Sequence, residues 1–190
     1  MKTSTWTQLT FCLLSSVFYA CNSSHVYYLD ATSGSDQNNG NSPQSAWQSM
    51  EPLKQISLQP GDKILFKKGE IFPGILELTG QGTYTHPIII DAYGEGNQKP
   101  CIAGNDTSMY AVRIFNSDYF TIQNLEISNT GKERKAGRTG LKIECTDYGI
   151  SHNIRINNLT IRDVNGSLVK EEGGGSGILI VNGGDSIRHA

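Results

Sequence analysis

Hydrophobic and polar positions alternate in short runs over the second half of the chain, and the runs repeat. Residues 120–129 recur as residues 154–163, with apolar side chains on alternate positions and Asn-Leu at the same point of each copy. Alternation with a period of two is typical of strands that bury one face. The pattern therefore predicts an internal repeat in which each copy holds two short strands, separated by a bend at Asn124 or Asn158.

The repeat extends upstream, where residues 112–114 correspond to residues 141–143, and a third unit begins at residue 178. Strands this short cannot bury an apolar face alone, whereas stacked coils pair their backbones in parallel and share one core. We therefore predict an all-β parallel β-helix in which Val112, Leu141 and Ile178 lie in adjacent rungs. Asn124 and Asn158, at equivalent corners, are expected to stack and hydrogen-bond from coil to coil.

Earlier segments fit the same scheme less closely. Strands around Leu76, Ile88 and Cys101 are predicted to form a preceding coil, and residues 64–66 one further strand. Residues 46–58 alone show helical spacing, which is carried by Trp47, Met50, Leu53 and Ile56. An apolar helix at this point is predicted to cover the open end of the stack, so that its strand edge cannot pair with other chains.

The N-terminal part of the chain resembles a known family. The resemblance is carried by Ser42-Pro43, Ala46-Trp47 and the segments 27–31 (YYLDA), 34–40 (GSDQNNG), 60–66 (PGDKILF) and 87–94 (PIIIDAYG). These look like the first coils of secreted bacterial right-handed parallel β-helix proteins of the pectate-lyase-like superfamily, and the likeness spans residues 26–182. It implies a right-handed β-helix with a short N-terminal capping helix.

The same resemblance implies a carbohydrate-active protein that acts on acidic or plant-type polysaccharide, with lyase-like β-elimination as the leading chemistry. It is specific for fold rather than reaction, because similar first coils precede lyases, glycoside hydrolases and proteins of no known activity. The alternative is a non-catalytic surface module that binds glycan or has a structural role. The net charge of −2 gives no indication of a nucleic-acid partner.

The first 21 residues are predicted to be an export signal. Lys2 precedes a mostly apolar run over residues 11–20, which is too short for a membrane-spanning helix. Cys21, directly after Ala20, resembles the lipid-attachment cysteine of bacterial lipoproteins, although Phe18 departs from the usual leucine. We expect an outer-membrane or cell-surface lipoprotein that contacts the membrane only through this lipid anchor; simple cleavage, giving a periplasmic or extracellular protein, is the alternative.

Beyond the signal, residues 22–60 are predicted to form a strand, a turn and the capping helix, and residues 61–190 the β-helix coils. The chain stops within the third repeated unit with no capping segment, so we expect it to be the N-terminal part of a larger protein. In the resembling enzymes catalytic residues lie in central coils, so the catalytic coils are expected to follow this chain. Cys101 and Cys145 lie in or beside predicted strands, and core packing is favoured over a disulfide.

The first candidate site is an outward row on the strands that open each coil. Glu77, Arg113 and Lys142 belong to it, with Glu144 beside the last. In the resembling enzymes a Lys or Arg on this face removes a proton next to a uronate carboxyl, usually with calcium, so Lys142 and Glu144 are the catalytic candidates. The alternative is a solvated face whose opposite charges neutralise each other. No aromatic side chain is assigned to the row.

The second candidate site is the loop formed by residues 131–140. The loop contains one anionic residue, Glu133, and four cationic residues, which gives it a charge of +3. The cationic residues are Lys132, Arg134, Lys135 and Arg138. Guanidinium groups pair with carboxylate or sulfate through two hydrogen bonds, so the loop is predicted to bind acidic polysaccharide. Together with Arg113, the loop residues Arg134, Lys135 and Arg138 form the predicted substrate-binding set. An ordinary solvated loop outside the core is the alternative.

A third candidate is a calcium site in the N-terminal turn. Asp30 and Asp36 precede a run of amide side chains that ends at Gly40. Carboxylate and amide oxygens are calcium ligands, but the spacing is not that of an EF-hand. Asp and Asn before Gly are also the usual residues of turns, and this alternative stays open.

Overall fold

The computed structural model describes residues 24–184. Over this range the chain forms thirteen short strands and three 3-10 helices, with no α-helix. In chain order, strands β1 to β13 are Val26–Leu29, Lys63–Lys67, Ile71–Pro73, Leu76–Leu78, Ile88–Tyr93, Cys101–Ala103, Tyr110–Phe115, Phe120–Gln123, Glu126–Asn129, Thr139–Thr146, Arg155–Asn157, Thr160–Val164 and Ser176–Gly183. The 3-10 helices are Pro43–Ser45, Glu51–Gln55 and Lys170–Glu172.

The strands form three sheets in which every pairing is parallel. Sheet 1 has the order β1-β2-β5-β8-β11, sheet 2 the order β4-β7-β10-β13, and sheet 3 the order β3-β6-β9-β12. From β4 onward the chain visits sheets 2, 1 and 3 in fixed rotation, so each turn of the chain adds one strand to each sheet. This is the stacking expected of a solenoid of the β-helix type, and its right-handed sense stays a prediction.

The predicted register between coils is confirmed. Leu141 pairs with Val112 on one side and with Ile178 on the other. Buried apolar residues from all three sheets, among them Ile114, Ile122 and Ile127, belong to one core cluster. Alternation along each strand thus decides which side chains enter the shared core and which face outward.

The predicted asparagine stack is also present and is longer than expected. Asn158 Nδ2 donates to Asn124 Oδ1 at 2.8 Å, and Asn124 Nδ2 donates to Asp91 Oδ1 at 2.7 Å. Both asparagines have left-handed backbone geometry, with φ of 58° at Asn124 and 48° at Asn158. Asn tolerates this region better than most residues, so the bend and the ladder depend on the same side chain.

The predicted capping helix over residues 46–58 is wrong. Trp47 instead lies against β1: its N–H donates to the Tyr28 carbonyl, and its own carbonyl accepts from the Asp30 N–H. Because these backbone groups of Trp47 pair with β1, they cannot also make helical hydrogen bonds. Within this range, only the five residues Glu51–Gln55 form a 3-10 helix, with Pro52 in its first turn. The apolar pattern still marks burial, because Trp47, Met50 and Leu53 belong to the core.

Both described cysteines are free. Cys101 is buried in β6, where its sulfur lies 3.7 Å from Ser128 Oγ, and burial raises the pKa of its thiol. Core packing is therefore confirmed for Cys101, whereas Cys145 is only half-buried.

Candidate functional site

Sheet 2 brings the predicted charged row together on its outer surface. Glu77, Arg113 and Lys142 occupy directly paired positions on β4, β7 and β10. Their strand neighbours on both sides, such as Val112 and Ile114, are buried in the core. Because side chains alternate along a strand, the three charged residues point away from that core.

The row is a continuous set of ion pairs. The Arg113 guanidinium donates to Glu77 Oε1 at 3.0 Å and to Glu144 Oε2 at 2.8 Å, and Lys142 Nζ lies 2.8 Å from the same Glu144 oxygen. Burial alone would raise the pKa of Glu144, but the hydrogen bond from Lys142 and the charge of Arg113 outweigh it and lower that pKa. The two cations and two carboxylates cancel, so this row is not a cationic surface.

Two aromatic side chains extend the row, contrary to the sequence prediction that it has none. The Arg113 guanidinium carbon lies 4.1 Å from the ring centroid of Phe115 and 5.6 Å from that of Tyr110. The Tyr110 hydroxyl donates to Glu77 Oε2 at 2.8 Å. Phe115 could have been found from the sequence, because it stands two residues after Arg113 and shares its direction on the strand.

The predicted catalytic pair, Lys142 and Glu144, is in contact, but each partner is held by the other. A base must offer a free lone pair, and the Lys142 ammonium is committed to a carboxylate at 2.8 Å. Glu144 accepts from both Arg113 and Lys142, which stabilises the carboxylate rather than the acid. The arrangement suits hydrogen bonding to sugar hydroxyls better than proton abstraction.

The cationic loop lines a separate surface cavity of about 480 Å³. Its lining residues are Asp106, Lys132, Glu133, Arg134, Lys135 and Arg138. Arg113 and Lys142 do not line this cavity, so within the described residues the predicted substrate-binding set divides between two places. The four residues of this set therefore do not line one common cavity in the described part of the chain.

Arg138 departs from the prediction of a loop residue outside the core. Its side chain is among the largest that are fully buried, and the residue is 2% exposed. Arg134, four residues earlier, is exposed and donates from Nη1 to the Gly166 carbonyl at 3.2 Å. Lys135 is also exposed, and its backbone N–H donates to the Asn165 carbonyl.

Asp30 and Asp36 both stabilise the N-terminal turn. Asp30 accepts from Lys67 Nζ at 2.6 Å and from the Ser33 N–H at 2.7 Å, and Asp36 accepts from the backbone N–H groups of Gln48 and Ser49. In residues 24–184, His, Cys, Asp and Glu side chains do not gather in groups of three or more suited to a metal ion. Calcium binding stays a prediction that these contacts do not support.

One polar cluster was missed in the sequence. The Asp118 carboxylate accepts from the Tyr148 hydroxyl at 2.6 Å and from the backbone N–H of His152 at 2.5 Å. The Nδ1 atom of the His152 ring lies 3.2 Å from Asp118 Oδ1. These contacts connect the turn after β7 with the loop after β10, one coil further on. Burial alone would raise the pKa of Asp118, but the hydrogen bonds from Tyr148 and His152 lower it.

Replacing Asp118 with Asn should therefore destabilise the protein in a pH-dependent way. A carboxyl whose folded-state pKa is lowered contributes stability above its unfolded value, about pH 4, and this contribution disappears as the pH falls through the folded pKa. We expect chemical denaturation to show Asp118→Asn less stable than the parent at neutral pH, with the difference shrinking below about pH 4. Asp147→Asn, at an exposed aspartate, is the control. A deficit that is independent of pH would show that the carboxylate charge has no part in it.

No helix in residues 24–184 combines the length and the apolar composition that crossing a bilayer requires. The predicted signal, the lipid anchor at Cys21 and the export of the protein all depend on residues outside the described range, so they stay predictions.

The chain is similar to known proteins over most of its length. No protein-family model matches the chain. Its structure is similar to that of a GH136 lacto-N-biosidase from Eubacterium ramulus, with a TM-score of 0.72 and 30% identity, over 84% of this chain and 30% of that one. It is 26% identical to a lacto-N-biosidase of Bifidobacterium longum subsp. longum, over 82% of this chain and 13% of that protein. It is 27% identical to alpha-1,3-galactosidase A of Akkermansia muciniphila, over 71% of this chain and 24% of that protein.

The chain thus spans less than a third of each of these relatives. All three carry the names of enzymes that act on glycans. Over most of its length, this chain is similar to carbohydrate-active proteins.

Proposed function

We propose that this chain forms the first coils of a glycosidase-type protein and that the outer face of sheet 2 contacts the glycan. The proposal rests mainly on the 30% identity and the TM-score of 0.72 to a lacto-N-biosidase. The similarity covers 84% of this chain.

The chemistry of the face fits a neutral sugar. Glu77, Glu144 and Lys142 are hydrogen-bonding groups held in place by ion pairs, and Phe115 offers an apolar ring beside them. Glycan sites combine a few fixed polar groups with aromatic surface. Because the charges of the row cancel, it has no net attraction for a polyanion, so we favour a neutral glycan here over the acidic polysaccharide predicted from the sequence.

Hydrolysis is proposed for the whole protein, and no catalytic step is assigned to this chain. Glycoside hydrolysis requires two carboxyl groups, one of which is protonated when it acts as the general acid. Two cations keep Glu144 ionised, which suits an acceptor of hydroxyl hydrogen bonds rather than an acid. The catalytic pair is therefore expected in coils that belong to the remainder of the longer relatives.

Two alternatives remain as proposals of lower rank. A polysaccharide lyase would use Lys142 as its base and release an unsaturated sugar, which is detected by ultraviolet absorbance. A non-catalytic module would bind glycan and release nothing. Hydrolysis by the full-length protein would release reducing ends without that absorbance, so one assay with paired detection separates the three.

Phe115→Ala should weaken glycan binding without unfolding the chain. Loss of the ring removes apolar contact area and frees the Arg113 guanidinium, so we expect Kd for a neutral galactose-terminated oligosaccharide to rise about tenfold, equal to about 1.4 kcal/mol. Tyr84→Ala, at an aromatic residue that is 73% exposed and outside the strands, is the matched control. Titration by isothermal calorimetry measures both. An equal loss in both variants, or none in Phe115→Ala, would remove this face from the proposal.

A further inference from the structure

A surface cavity of about 380 Å³ lies where the strands of sheet 1 end, beside the asparagine ladder. One wall is formed by Asp91 on β5, by Asn124 after β8 and by Asn158 after β11. The facing wall is formed by residues 96–99 of the loop between β5 and β6, and by Lys68, which follows β2. Both walls are therefore built from polar side chains.

The ladder wall is fixed by its own hydrogen bonds. The Asp91 carboxylate accepts from Asn124 Nδ2 and from Gln123 Nε2, both at 2.7 Å, and from the Ala92 N–H at the same distance. Asn158 Nδ2 donates to Asn124 Oδ1 at 2.8 Å. Each ladder amide group has a second N–H that finds no partner among the described residues, so it can donate to a ligand.

The loop wall is anchored through its backbone and through one lysine. The Gly69 N–H donates to the Gln98 carbonyl at 3.0 Å, and Lys99 Nζ donates to Thr160 Oγ1 at 3.0 Å. The side-chain amides of Asn97 and Gln98 make no hydrogen bonds within residues 24–184. The loop thus holds its position while these two amides remain available as donors and acceptors.

The lining has a charge of +1, from Lys68 and Lys99 against Asp91. Lys68 has no ion pair in the described range, and Asp91 is satisfied by N–H groups rather than by a lysine. Glu95, in the same loop, is exposed and does not line the cavity. The described lining also lacks an aromatic ring, so a sugar here is held by hydrogen bonds and charge rather than by stacking.

We propose that this cavity binds one acidic sugar residue, such as a uronate. The ammonium groups of Lys68 and Lys99 attract its carboxylate, and the amides of the ladder and the loop exchange hydrogen bonds with its hydroxyl groups. A neutral sugar leaves the excess positive charge unmatched, and a simple anion leaves the amides unused. The cavity is separate from the outer face of sheet 2, so this proposal does not depend on the proposed function.

Nuclear magnetic resonance of the full chain provides the first test. A titration with galacturonate should shift the side-chain amide signals of Asn124 and Asn158 and the backbone signal of Gly96 until they saturate. Acetate has the charge without the hydroxyl groups, and galactose has the hydroxyl groups without the charge, so each should bind about tenfold more weakly. Equal affinity for galacturonate and either of these, or no movement with any of them, would overturn the proposal. Shifts confined to sheet 2 would overturn it and leave the proposed function intact.

The charge is tested by Lys68→Met, which keeps the apolar stem of the side chain. Because Lys68 has no ion pair within the described residues, thermal unfolding should not change, while Kd for galacturonate should rise about tenfold. Lys63→Met, at an exposed lysine on β2 outside the cavity, is the matched control and should keep the parental Kd. An unchanged Kd in Lys68→Met, or an equal rise in both variants, would contradict binding in this cavity.

Discussion

Phe72→Ala should lower the free energy of unfolding by about 3–5 kcal/mol, the cost of removing a fully buried aromatic side chain. Phe72 is 1% exposed, and its ring packs edge-on against Phe66 with the centroids 4.9 Å apart. The three-residue strand β3 cannot shift to fill the space, because β6 fixes it through backbone pairing. Urea denaturation at neutral pH measures the loss.

Ile71→Ala is the matched control, since it lies one position earlier on the same strand and is 61% exposed. We expect it to change the free energy of unfolding by at most about 0.5 kcal/mol, as exposed substitutions usually do. The two variants therefore test which face of β3 enters the core. Similar losses at both positions would contradict the burial pattern of sheet 3.

Asn124→Ala should destabilise the protein by about 2–3 kcal/mol through two separable effects. The substitution removes the hydrogen bonds to Asp91 and from Asn158, and it places a residue with a Cβ but no stabilising amide at φ of 58°. Asn124→Gly removes the same hydrogen bonds but tolerates the backbone angle. We expect the Gly variant to lose only about half as much, by the cost of the hydrogen bonds alone.

Asn158→Ala provides the comparison at the end of the ladder. Asn158 is exposed and makes a single ladder hydrogen bond, so its replacement should cost less than that of Asn124. Thermal and urea denaturation of the three variants give the order. Equal stability of Asn124→Ala and Asn124→Gly would show that the backbone angle contributes nothing.

The candidate site was only partly predictable, and the reason differs from residue to residue. Strand alternation was enough to place Arg113, Lys142 and Glu144 on one face, and register then made their ion pairs follow. The same rule applied to Phe115, which was overlooked. The contact of Tyr110 with Glu77 could not be foreseen, because Tyr110 lies three positions before Arg113 and strict alternation would direct it away from the row.

The stacked coils, the register between them and the asparagine corners all follow from local sequence patterns. Apolar alternation and an internal repeat specify backbone pairing locally, and each coil then repeats the same solution. Only the tertiary structure shows that Trp47 pairs with β1 and that residues 46–58 contain a short 3-10 helix, Glu51–Gln55, instead of the predicted capping helix. It also decided that Arg138 is buried while Arg134 in the same loop is exposed. Local composition cannot separate those two arginines, because the contacts that bury Arg138 include the Asp106 carbonyl, 32 residues earlier in the chain.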